Sequence, residues 1–412
     1  MAAGVNPILL IGVAGAPGFA EIRTRQFAEA IKGAVGVGRF RFVDFRDDVA
    51  TAVRAFAPEA VVTASNYGPT KAAIAALAGL DDLPFWLDVA GDPFAEAQAY
   101  AARVGGASAV AEDARRVWCA AYARADWFSA VCAPGRHAIL GALGVLGRLP
   151  LFPAGEEPIS VIPNAMAFGE PGIARRGGLR VVLIGGFNTW FDDETLLAGL
   201  LLAMAGGDVR VTVCGGAIPD HFSAGFERFE RGALASKFAA KFSFPGWVSD
   251  SELSAIVAEN DATIVMDRAG AEAELGSRTR ILFALHAGLR VLATGRSPIA
   301  AKLGEESVIE LVPAACEVGP ERAAQALATS LLLARPAGSP ESIARLREEY
   351  SVQRTAVSLT EWCCAPKRSA RGNAVPVDAA LLAENATLRR DLVELRESPT
   401  FRVLDRLKRG LS

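Results

Sequence analysis

The sequence predicts an α/β protein made of two domains, each with a parallel β-sheet covered by helices. Short apolar runs alternate with helical patterns through the first half of the chain, which is typical of strands joined by crossover helices. The same alternation restarts after a stretch rich in glycine and proline between Met166 and Gly178. A chain of 412 residues, of which 51% are hydrophobic, is also long enough to bury two cores.

The predicted strands follow one another in two sets. In the first half they are Pro7 to Val13, Arg39 to Asp44, Ala60 to Ala64, Phe85 to Val89, Trp127 to Cys132 and Ser160 to Pro163. In the second half they are Arg180 to Ile184, Val209 to Cys214, Lys241 to Phe244, Ala262 to Met266, Arg290 to Ala293 and Val308 to Val312. Helical patterns cover Ala20 to Ala34 and Tyr100 to Ala125. We therefore expect two Rossmann-like domains facing a cleft, at residues 1–165 and 166–364, with Glu341 to Trp362 as a helix that returns to the first domain.

Charge and cysteine usage argue against several classes of protein. The net charge of -3 gives no electrostatic support for nucleic acid as a partner. The N-terminal segment lacks the basic region of a signal peptide, and no apolar run reaches the length of a membrane span. The six cysteines show no C-x-x-C spacing, so reduced thiols and a cytoplasmic location are expected.

The composition changes after Cys364. Residues 365–378 form a linker rich in proline, glycine and basic residues, and residues 379–412 form a predicted helical tail. The tail combines a four-three spacing typical of a coiled coil with a basic amphipathic pattern from Phe401 to Leu411. The coiled-coil positions are Leu381, Asn385, Leu388, Leu392 and Leu395. A partner helix, a homodimer or a peripheral contact with the inner face of a membrane would each suit this tail.

Three glycine-rich turns follow predicted strands, and the third, Cys214-Gly215-Gly216, is interpreted as a turn only. In the first, Gly12, Gly15 and Gly18 are spaced G-x-x-G-x-x-G, which differs from the dinucleotide fingerprint G-x-G-x-x-G. In the second, Gly185 and Gly186 precede Asn188 and would let a phosphate or sugar approach the backbone closely, although a turn alone also explains them. A Walker A sequence does not occur, so a P-loop NTPase is disfavoured.

A polar loop from Arg268 to Arg280 connects a predicted buried strand to a helix. Open α/β sheets bind ligands at the carboxyl ends of their strands, and a helix start there offers free N–H groups to an anion. Arg278 and Arg280 add fixed positive charge, so the loop suits a diphosphate. A solvated face on which Glu272 and Glu274 pair with the arginines is the alternative.

Several segments resemble the GT-B glycosyltransferases of the family 4 type. In the second half the resemblance is to the donor-binding domain, and upstream residues 125–132 resemble the last strand of the acceptor domain. The matching segments are Ser160-Val161-Ile162-Pro163-Asn164-Ala165, Gly185-Gly186, Gly246-Trp247-Val248, Asp261 and Ala287-Gly288-Leu289-Arg290-Val291-Leu292. They occur in the order that the family shows, over most of residues 1–360.

The resemblance implies transfer of a sugar from a nucleotide-diphosphate donor to a glycan or lipid-linked acceptor, with retention and without an obligatory metal. Such an enzyme would build a surface polysaccharide or glycoconjugate, with the nucleotide sugar as co-substrate and no other cofactor. The polar loop lacks an Asp-x-Asp motif, and the chain shows no cluster of metal ligands. Arg278 and Arg280 would then stabilise the departing diphosphate. Hydrogen-bond donors and close approach at the helix start would come from Gly276, Ser277 and Thr279.

The donor sugar itself is expected near the polar loop. Asp267 and Arg268 follow the strand directly, and Glu274, with Glu272 as a competitor, would hold the sugar. Family members commonly carry a second carboxylate eight positions later that holds the ribose hydroxyls. Leu282 stands at that position and Phe283 follows it, so ribose recognition must differ here.

The first domain should hold the acceptor. Asp88 and Asp92 lie at the end of a predicted strand and in the loop beyond it, where a carboxylate could order the attacking hydroxyl. Asp92 before Pro93 is equally a helix N-cap. The remaining acceptor-side candidates are Gly15, Gly18, Arg136 and His137, and a surface position explains the last two equally well.

Two other functions fit the same architecture. A nucleotide-sugar epimerase could use the same two-domain plan and the same diphosphate site. A non-catalytic scaffold could keep the fold and act through its coiled coil.

Overall fold

The computed structural model describes residues 7–15, 18–64, 67–166, 178–217, 223–333 and 338–369. These residues form two parallel sheets of six strands each, with helices on both faces of each sheet. Most of the predicted linker and the whole predicted tail, residues 370–412, lie outside the described residues. The coiled-coil and amphipathic patterns therefore stay predictions.

The first sheet has the order β2-β1-β3-β4-β5-β6. Its strands are β1 (Ile8–Gly12), β2 (Phe40–Asp44), β3 (Ala60–Thr63), β4 (Phe85–Val89), β5 (Trp127–Ala130) and β6 (Ile159–Val161). Its helices are α1 (Phe19–Val35), α2 (Val49–Phe56), α3 (Tyr67–Ala76), α4 (Pro93–Val104), α5 (Ala107–Arg124) and α6 (Ala133–Val145). Short 3₁₀ turns cover Val37–Arg39 and Leu149–Leu151.

The second sheet has the order β9-β8-β7-β10-β11-β12, which is the 3-2-1-4-5-6 order of a Rossmann fold. Its strands are β7 (Leu179–Gly186), β8 (Val209–Gly216), β9 (Phe242–Gly246), β10 (Ala262–Val265), β11 (Arg290–Thr294) and β12 (Glu310–Val312). Its helices are α7 (Asp193–Gly206), α8 (Ala224–Ala235), α9 (Asp250–Ala258), α10 (Ala271–Leu275), α11 (Thr279–His286), α12 (Pro298–Glu305), α13 (Ala315–Val318) and α14 (Pro320–Leu332). A 3₁₀ turn covers Ala239–Lys241.

Alternate residues of the central strands enter cores on opposite faces of the sheet. In β1, Leu9 and Ile11 belong to one apolar cluster, whereas Ile8 and Leu10 belong to another. This follows from the two-residue period of a strand, and a strand buried on both faces appears in the sequence as a continuous apolar run. The predicted strands therefore match the observed ones, with shifts of one or two residues at their ends.

The long helix predicted from Tyr100 to Ala125 is wrong. The structure has two helices there, α4 and α5, and they pack against each other. Gly105 and Gly106 separate them with φ angles of 78° and 72°. Positive φ angles are favourable for glycine and interrupt the helix, so the chain turns at this pair.

The returning helix predicted from Glu341 to Trp362 is also divided. It consists of α15 (Pro340–Glu349), α16 (Val352–Thr355) and α17 (Val357–Cys364). Helix α15 ends at Glu349 with Tyr350 as its C-cap, and Ser351 caps α16 by accepting a hydrogen bond from the Arg354 N–H. Leu346 of α15 lies in a core of the second sheet, whereas Leu359 and Trp362 of α17 lie in a core of the first sheet. The chain thus crosses back to the first sheet at about this point.

No helix among the described residues is both long enough and apolar enough to cross a lipid bilayer.

Candidate active site

A cavity of about 780 Å³ lies between the two sheets. In the second sheet the first and fourth strands, β7 and β10, are neighbours, so the connections that follow them leave on opposite faces and open a crevice. Residues of both halves of the chain line the cavity, among them Gly15, Gly18, Glu21, Arg25, Glu96, Gly185, Gly186, Asn188, Trp190, Trp247, Glu272, Gly276, Ser277, Arg278, Thr279, Arg280 and Phe283.

The glycine pair at the end of β7 exposes backbone to the cavity. Gly185 has a φ angle of 89°, a region that favours glycine. A Cβ atom at this position would lie 3.5 Å from Arg280 Nη2. Without that Cβ, a ligand can approach the main chain beside the guanidinium, as the sequence predicts for a phosphate.

Arg278 is buried between two carboxylates. Its Nε donates to Asp267 Oδ1 at 2.8 Å and to Oδ2 at 2.9 Å, and its Nη1 and Nη2 donate to Glu272 Oε1 and Oε2 at 3.0 Å and 2.7 Å. The centre of the Trp190 ring lies 5.5 Å from its Cζ. Burial opposes its charge, but the two carboxylates more than offset that effect and raise the pKa of Arg278. The guanidinium is thus held in one orientation.

Arg280 has different surroundings. Its Nη2 donates to the Gly186 carbonyl oxygen at 3.0 Å, and its Cζ lies 5.4 Å from the centre of the Phe191 ring. Among the described residues, no carboxylate lies within ion-pair distance of it. Burial, followed by the charge of Arg278, lowers the pKa of Arg280 to about 10, so it remains protonated at neutral pH. A positive charge without a counter-ion therefore faces the cavity.

Helix α11 begins at Thr279, directly between these arginines in sequence. Gly276 and Ser277, which the sequence predicts at the helix start together with Thr279, precede the helix, and Arg278 is its N-cap residue. Asn164 Nδ2 donates to Thr279 Oγ1 at 2.8 Å and ties the helix start to the segment that follows β6. The partial positive charge of the helix N-terminus adds to that of Arg280.

The carboxylates of the polar loop have separate positions. Glu272 lines the cavity, and burial raises its pKa despite the opposing charge of Arg278. Glu274 is 59% exposed at its side chain and pairs with Arg296 at 2.8 Å, and it does not line the cavity. Of the two competitors for the sugar-holding role, the structure therefore places Glu272, not Glu274, at the cavity.

Asp267 and Arg268 follow β10 as predicted but point to other protein groups. The Asp267 carboxylate binds Arg278, as described above. The Arg268 guanidinium donates to Asp193 Oδ1 at 2.8 Å, at the start of α7. Neither residue lines the cavity. Asp267 instead holds the Arg278 side chain, and Arg268 ties the chain after β10 to the start of α7.

Of the candidates in the first domain, the two glycines line the cavity and the two aspartates do not. Gly15 and Gly18 line the cavity. Asp92 caps α4 by accepting hydrogen bonds from the N–H groups of Phe94 at 3.1 Å and Ala95 at 2.8 Å. Asp88 is fully buried, and its carboxylate accepts from Arg23 at 2.7 and 2.9 Å and from Ser129 at 2.7 Å. Neither Asp88 nor Asp92 lines the cavity.

Arg136 and His137 lie away from the main cavity. Arg136 pairs with Glu157 at 2.9 Å and lines a separate cavity of about 250 Å³. His137 is exposed on α6. The structure therefore agrees with the surface position that the sequence also allowed for Arg136 and His137.

Several cavity residues were not proposed from the sequence. Glu21 and Arg25 lie in the first turns of α1, and Glu96 lies in the first turn of α4. The sequence could have indicated all three, because each helix is the next element after a strand and therefore begins at the carboxyl edge of the sheet. The inward position of Phe283 depends on how α11 packs, which its sequence pattern does not specify.

The described residues contain no group of three or more histidine, cysteine, aspartate or glutamate side chains that could hold a metal ion.

Neither a protein-family model nor a curated protein sequence matches the chain. Solved structures do. Sucrose-phosphate synthase from Thermosynechococcus elongatus superposes with a TM-score of 0.63 at 16% identity, over 86% of this chain and 97% of that one. HepE from Anabaena, in complex with UDP and glucose, superposes with a TM-score of 0.61 at 13% identity, over 86% and 98%. The chain has the GT-B fold.

A glycosyltransferase from Rickettsia africae gives a further match to this GT-B chain, with a TM-score of 0.54 at 12% identity, over 87% and 99%. The fold class predicted from the sequence is confirmed. In the GT-B chain the cavity between the two sheets corresponds to the interdomain cleft, and Arg280 with the start of α11 lies on its C-terminal side.

Proposed function

We propose that this protein is a glycosyltransferase that takes its sugar, a hexose, from a nucleotide-diphosphate donor bound in the interdomain cleft. One observation carries the proposal. Arg280 presents a charge with no carboxylate partner among the described residues, in a cavity at the switch point of a Rossmann-order sheet. Solved structures of the same fold support the proposal, since HepE was captured with UDP-glucose.

In this proposal the donor diphosphate lies against Arg280, the N-terminus of α11 and the backbone of Gly185 and Gly186. As the bond between the sugar and the diphosphate breaks, negative charge grows on the leaving oxygen, and fixed positive groups there lower the barrier. Asn188, Gly276, Ser277 and Thr279 line the same region and can add polar contacts. This charge stabilisation requires no divalent cation, and it is compatible with retention through a front-face reaction.

Arg278 has a different part in the proposal. Since Asp267 and Glu272 accept hydrogen bonds from all three guanidinium nitrogens and hold the group in place, Arg278 fixes the shape of the loop that ends at α11. We propose it as a positioning residue, and Arg280 as the group that contacts the diphosphate.

The acceptor would enter from the side of the first sheet, where Gly15, Gly18 and Glu96 line the cavity. Glu96 replaces Asp88 and Asp92 as the carboxylate best placed to order an attacking hydroxyl, because it alone of the three borders the cleft. We further propose that the acceptor is a glycan or lipid-linked acceptor of a surface polysaccharide. The protein would be cytoplasmic, and its tail would contact a partner helix or a membrane.

A panel of nucleotide-diphosphate sugars, tested by thermal shift in the presence of EDTA, checks this function. A ligand at a hundred times its Kd stabilises the folded state by about 2.7 kcal/mol, which raises the melting temperature measurably. We expect at least one donor and its nucleoside diphosphate to do so, and an acceptor to trigger release of that nucleoside diphosphate. Interconversion of the donor sugar without any acceptor would indicate an epimerase instead. Absence of a shift with every donor would refute the proposal.

A further inference from the structure

Helix α4 of the first domain contacts the second domain. Near the end of this helix, Arg103 Nε donates to the Thr189 carbonyl oxygen at 3.4 Å, and Arg103 Nη2 lies 3.7 Å from Asp193 Oδ1. The helix also packs against α10. Since Thr189 lies between the glycine pair of β7 and the start of α7, Arg103 connects the first domain to the turn that borders the proposed donor site.

Both contacts of α4 lead to Arg278. The residue after Thr189 is Trp190, which lines the cavity and whose ring centre lies 5.5 Å from Arg278 Cζ. Helix α10 carries Glu272, whose carboxylate accepts hydrogen bonds from the Arg278 guanidinium. Helix α4 therefore touches two of the elements that surround Arg278.

Arg103 lies on the same face of α4 as Glu96, the carboxylate proposed to order the acceptor. The two residues are seven positions apart, which is close to two helical turns and about 10 Å along the axis. Glu96 lines the cavity, and Arg103 reaches the second domain. A helix held at Arg103 against the turn after β7 therefore fixes the position of Glu96 relative to the donor.

The surroundings of Arg103 oppose its charge. Its side chain is 23% exposed, and the Asp193 carboxylate that it faces already pairs with Arg228 and Arg268 at 2.8 Å each. Burial, followed by the charge of Arg268, lowers the pKa of Arg103. Ionisable groups in unfavourable surroundings concentrate at functional sites, and this one bridges the cleft.

We propose that Arg103 is a positioning residue for sugar transfer, which holds α4 and Glu96 in place against the turn at residues 188–190. The inference rests on the proposed function. Loss of Arg103 should leave donor binding intact, because Gly185, Arg280 and the start of α11 all belong to the second domain. It should displace the acceptor, and a misplacement of about 1 Å can cost up to roughly a hundredfold in rate.

Sugar transfer and donor hydrolysis, measured side by side, provide the first test. The probes are the glucose conjugates of UDP, GDP, ADP and dTDP as donors, with octyl glycosides as mimics of a lipid-linked acceptor. In Arg103→Ala we expect the ratio of transfer to hydrolysis to fall roughly tenfold or more. The affinity for the nucleoside diphosphate should stay within about twofold of wild type, because the substituted site is distant from it.

Two further variants of the 412-residue chain serve as controls. Arg116→Ala removes an arginine from the exposed ion pair with Asp113 on α5, and it should change neither the ratio nor the affinity. Arg103→Lys keeps the charge but lacks the planar fork that reaches both Thr189 and Asp193, so its ratio should lie between those of Arg103→Ala and wild type.

A spectroscopic measurement checks the contact without any turnover. In protein labelled with 5-fluorotryptophan, the Trp190 fluorine signal is identified by its loss in Trp190→Phe. Because Trp190 follows the residue that Arg103 contacts, Arg103→Ala should shift this signal, whereas Arg116→Ala should leave it in place. A change confined to Trp190 distinguishes local positioning from a general loss of stability.

The outcomes separate the inference from the function on which it rests. A wild-type ratio of transfer to hydrolysis in Arg103→Ala, or a loss of transfer that only follows a loss of donor affinity, would overturn the inference and leave the glycosyltransferase. An unchanged Trp190 signal in Arg103→Ala would overturn it as well. A wild type that transfers sugar from none of the donors would overturn the proposed function and the inference together.

Discussion

Arg278 and Arg280 are separated by one residue, yet within the part of the chain that the structure describes only Arg278 is paired with carboxylates. Asp267 and Glu272 hold Arg278 through four hydrogen bonds of 2.7–3.0 Å, whereas the only protein hydrogen bond described for Arg280 goes to the Gly186 carbonyl oxygen. The two arginines therefore have separable roles. The first stabilises the loop, and the second is available to an anion in the cleft.

Replacing Arg278 by alanine should destabilise the protein strongly. The change leaves Asp267 and Glu272 buried without a counter-ion, and breaking a buried ion pair in this way costs about 3–5 kcal/mol. Denaturant unfolding of the variant and the wild type measures this loss. A loss of less than about 1 kcal/mol, the range of a surface pair, would contradict the assignment.

The loss in Arg278→Ala should shrink at acidic pH. Burial already raises the pKa of Glu272, and removal of Arg278 raises it further. An acid whose folded pKa lies above its unfolded pKa binds more protons when folded, so its contribution to stability is present at low pH and is lost as pH rises through the folded pKa. The variant should therefore be less destabilised, relative to wild type, at pH 5 than at pH 8. An equal or larger deficit at pH 5 would contradict this explanation.

Asp88 should prove to be a stabilising residue of the first sheet. Asp88→Ala leaves the fully buried Arg23 without its carboxylate, so we expect a loss of about 3–5 kcal/mol in the free energy of unfolding. Donor affinity, measured below the unfolding transition, should stay unchanged because Asp88 does not line the cavity. A variant of normal stability that lacks turnover would instead restore Asp88 to the catalytic site.

The sheets could be predicted from the sequence because buried parallel strands appear as apolar runs whatever surrounds them. The candidate site was only partly predictable. Spacing located Arg278 and Arg280 at the correct strand edge, but it could not show that α10 turns Glu272 inward toward Arg278 and leaves Glu274 outward beside Arg296. Such pairing depends on how helices dock, and a two-residue difference in sequence changes the face that a side chain occupies.

A chelator should not abolish turnover. In the proposed mechanism the fixed charges of Arg280 and the α11 N-terminus stabilise the departing diphosphate. Initial rates with saturating donor should be the same in EDTA and in Mg²⁺. Activity that is lost in EDTA and restored by a divalent cation would contradict this part of the proposal.

Cys214 should react slowly with alkylating reagents at neutral pH. Burial raises the pKa of this thiol to about 11, and only the thiolate is strongly nucleophilic. Mass spectrometry after brief treatment with iodoacetamide at pH 7.5 should find the exposed Cys316 and Cys364 modified and Cys214 unmodified. Because Cys214 lines the cleft, bound nucleotide should suppress its slow reaction at higher pH. Labelling of Cys214 as fast as that of Cys316 would contradict the described burial.

The contact between Arg280 and the donor diphosphate can be measured by a double-mutant cycle that removes the guanidinium and the β-phosphate separately. Titration calorimetry would give the affinities of the best-binding nucleoside diphosphate and its monophosphate for wild type and for Arg280→Ala. We predict that wild type prefers the diphosphate by roughly ten- to a hundredfold, the range of one or two charge-assisted hydrogen bonds, and that the variant loses most of this preference. If Arg280→Ala keeps the full preference, Arg280 does not contact the diphosphate and the central claim fails.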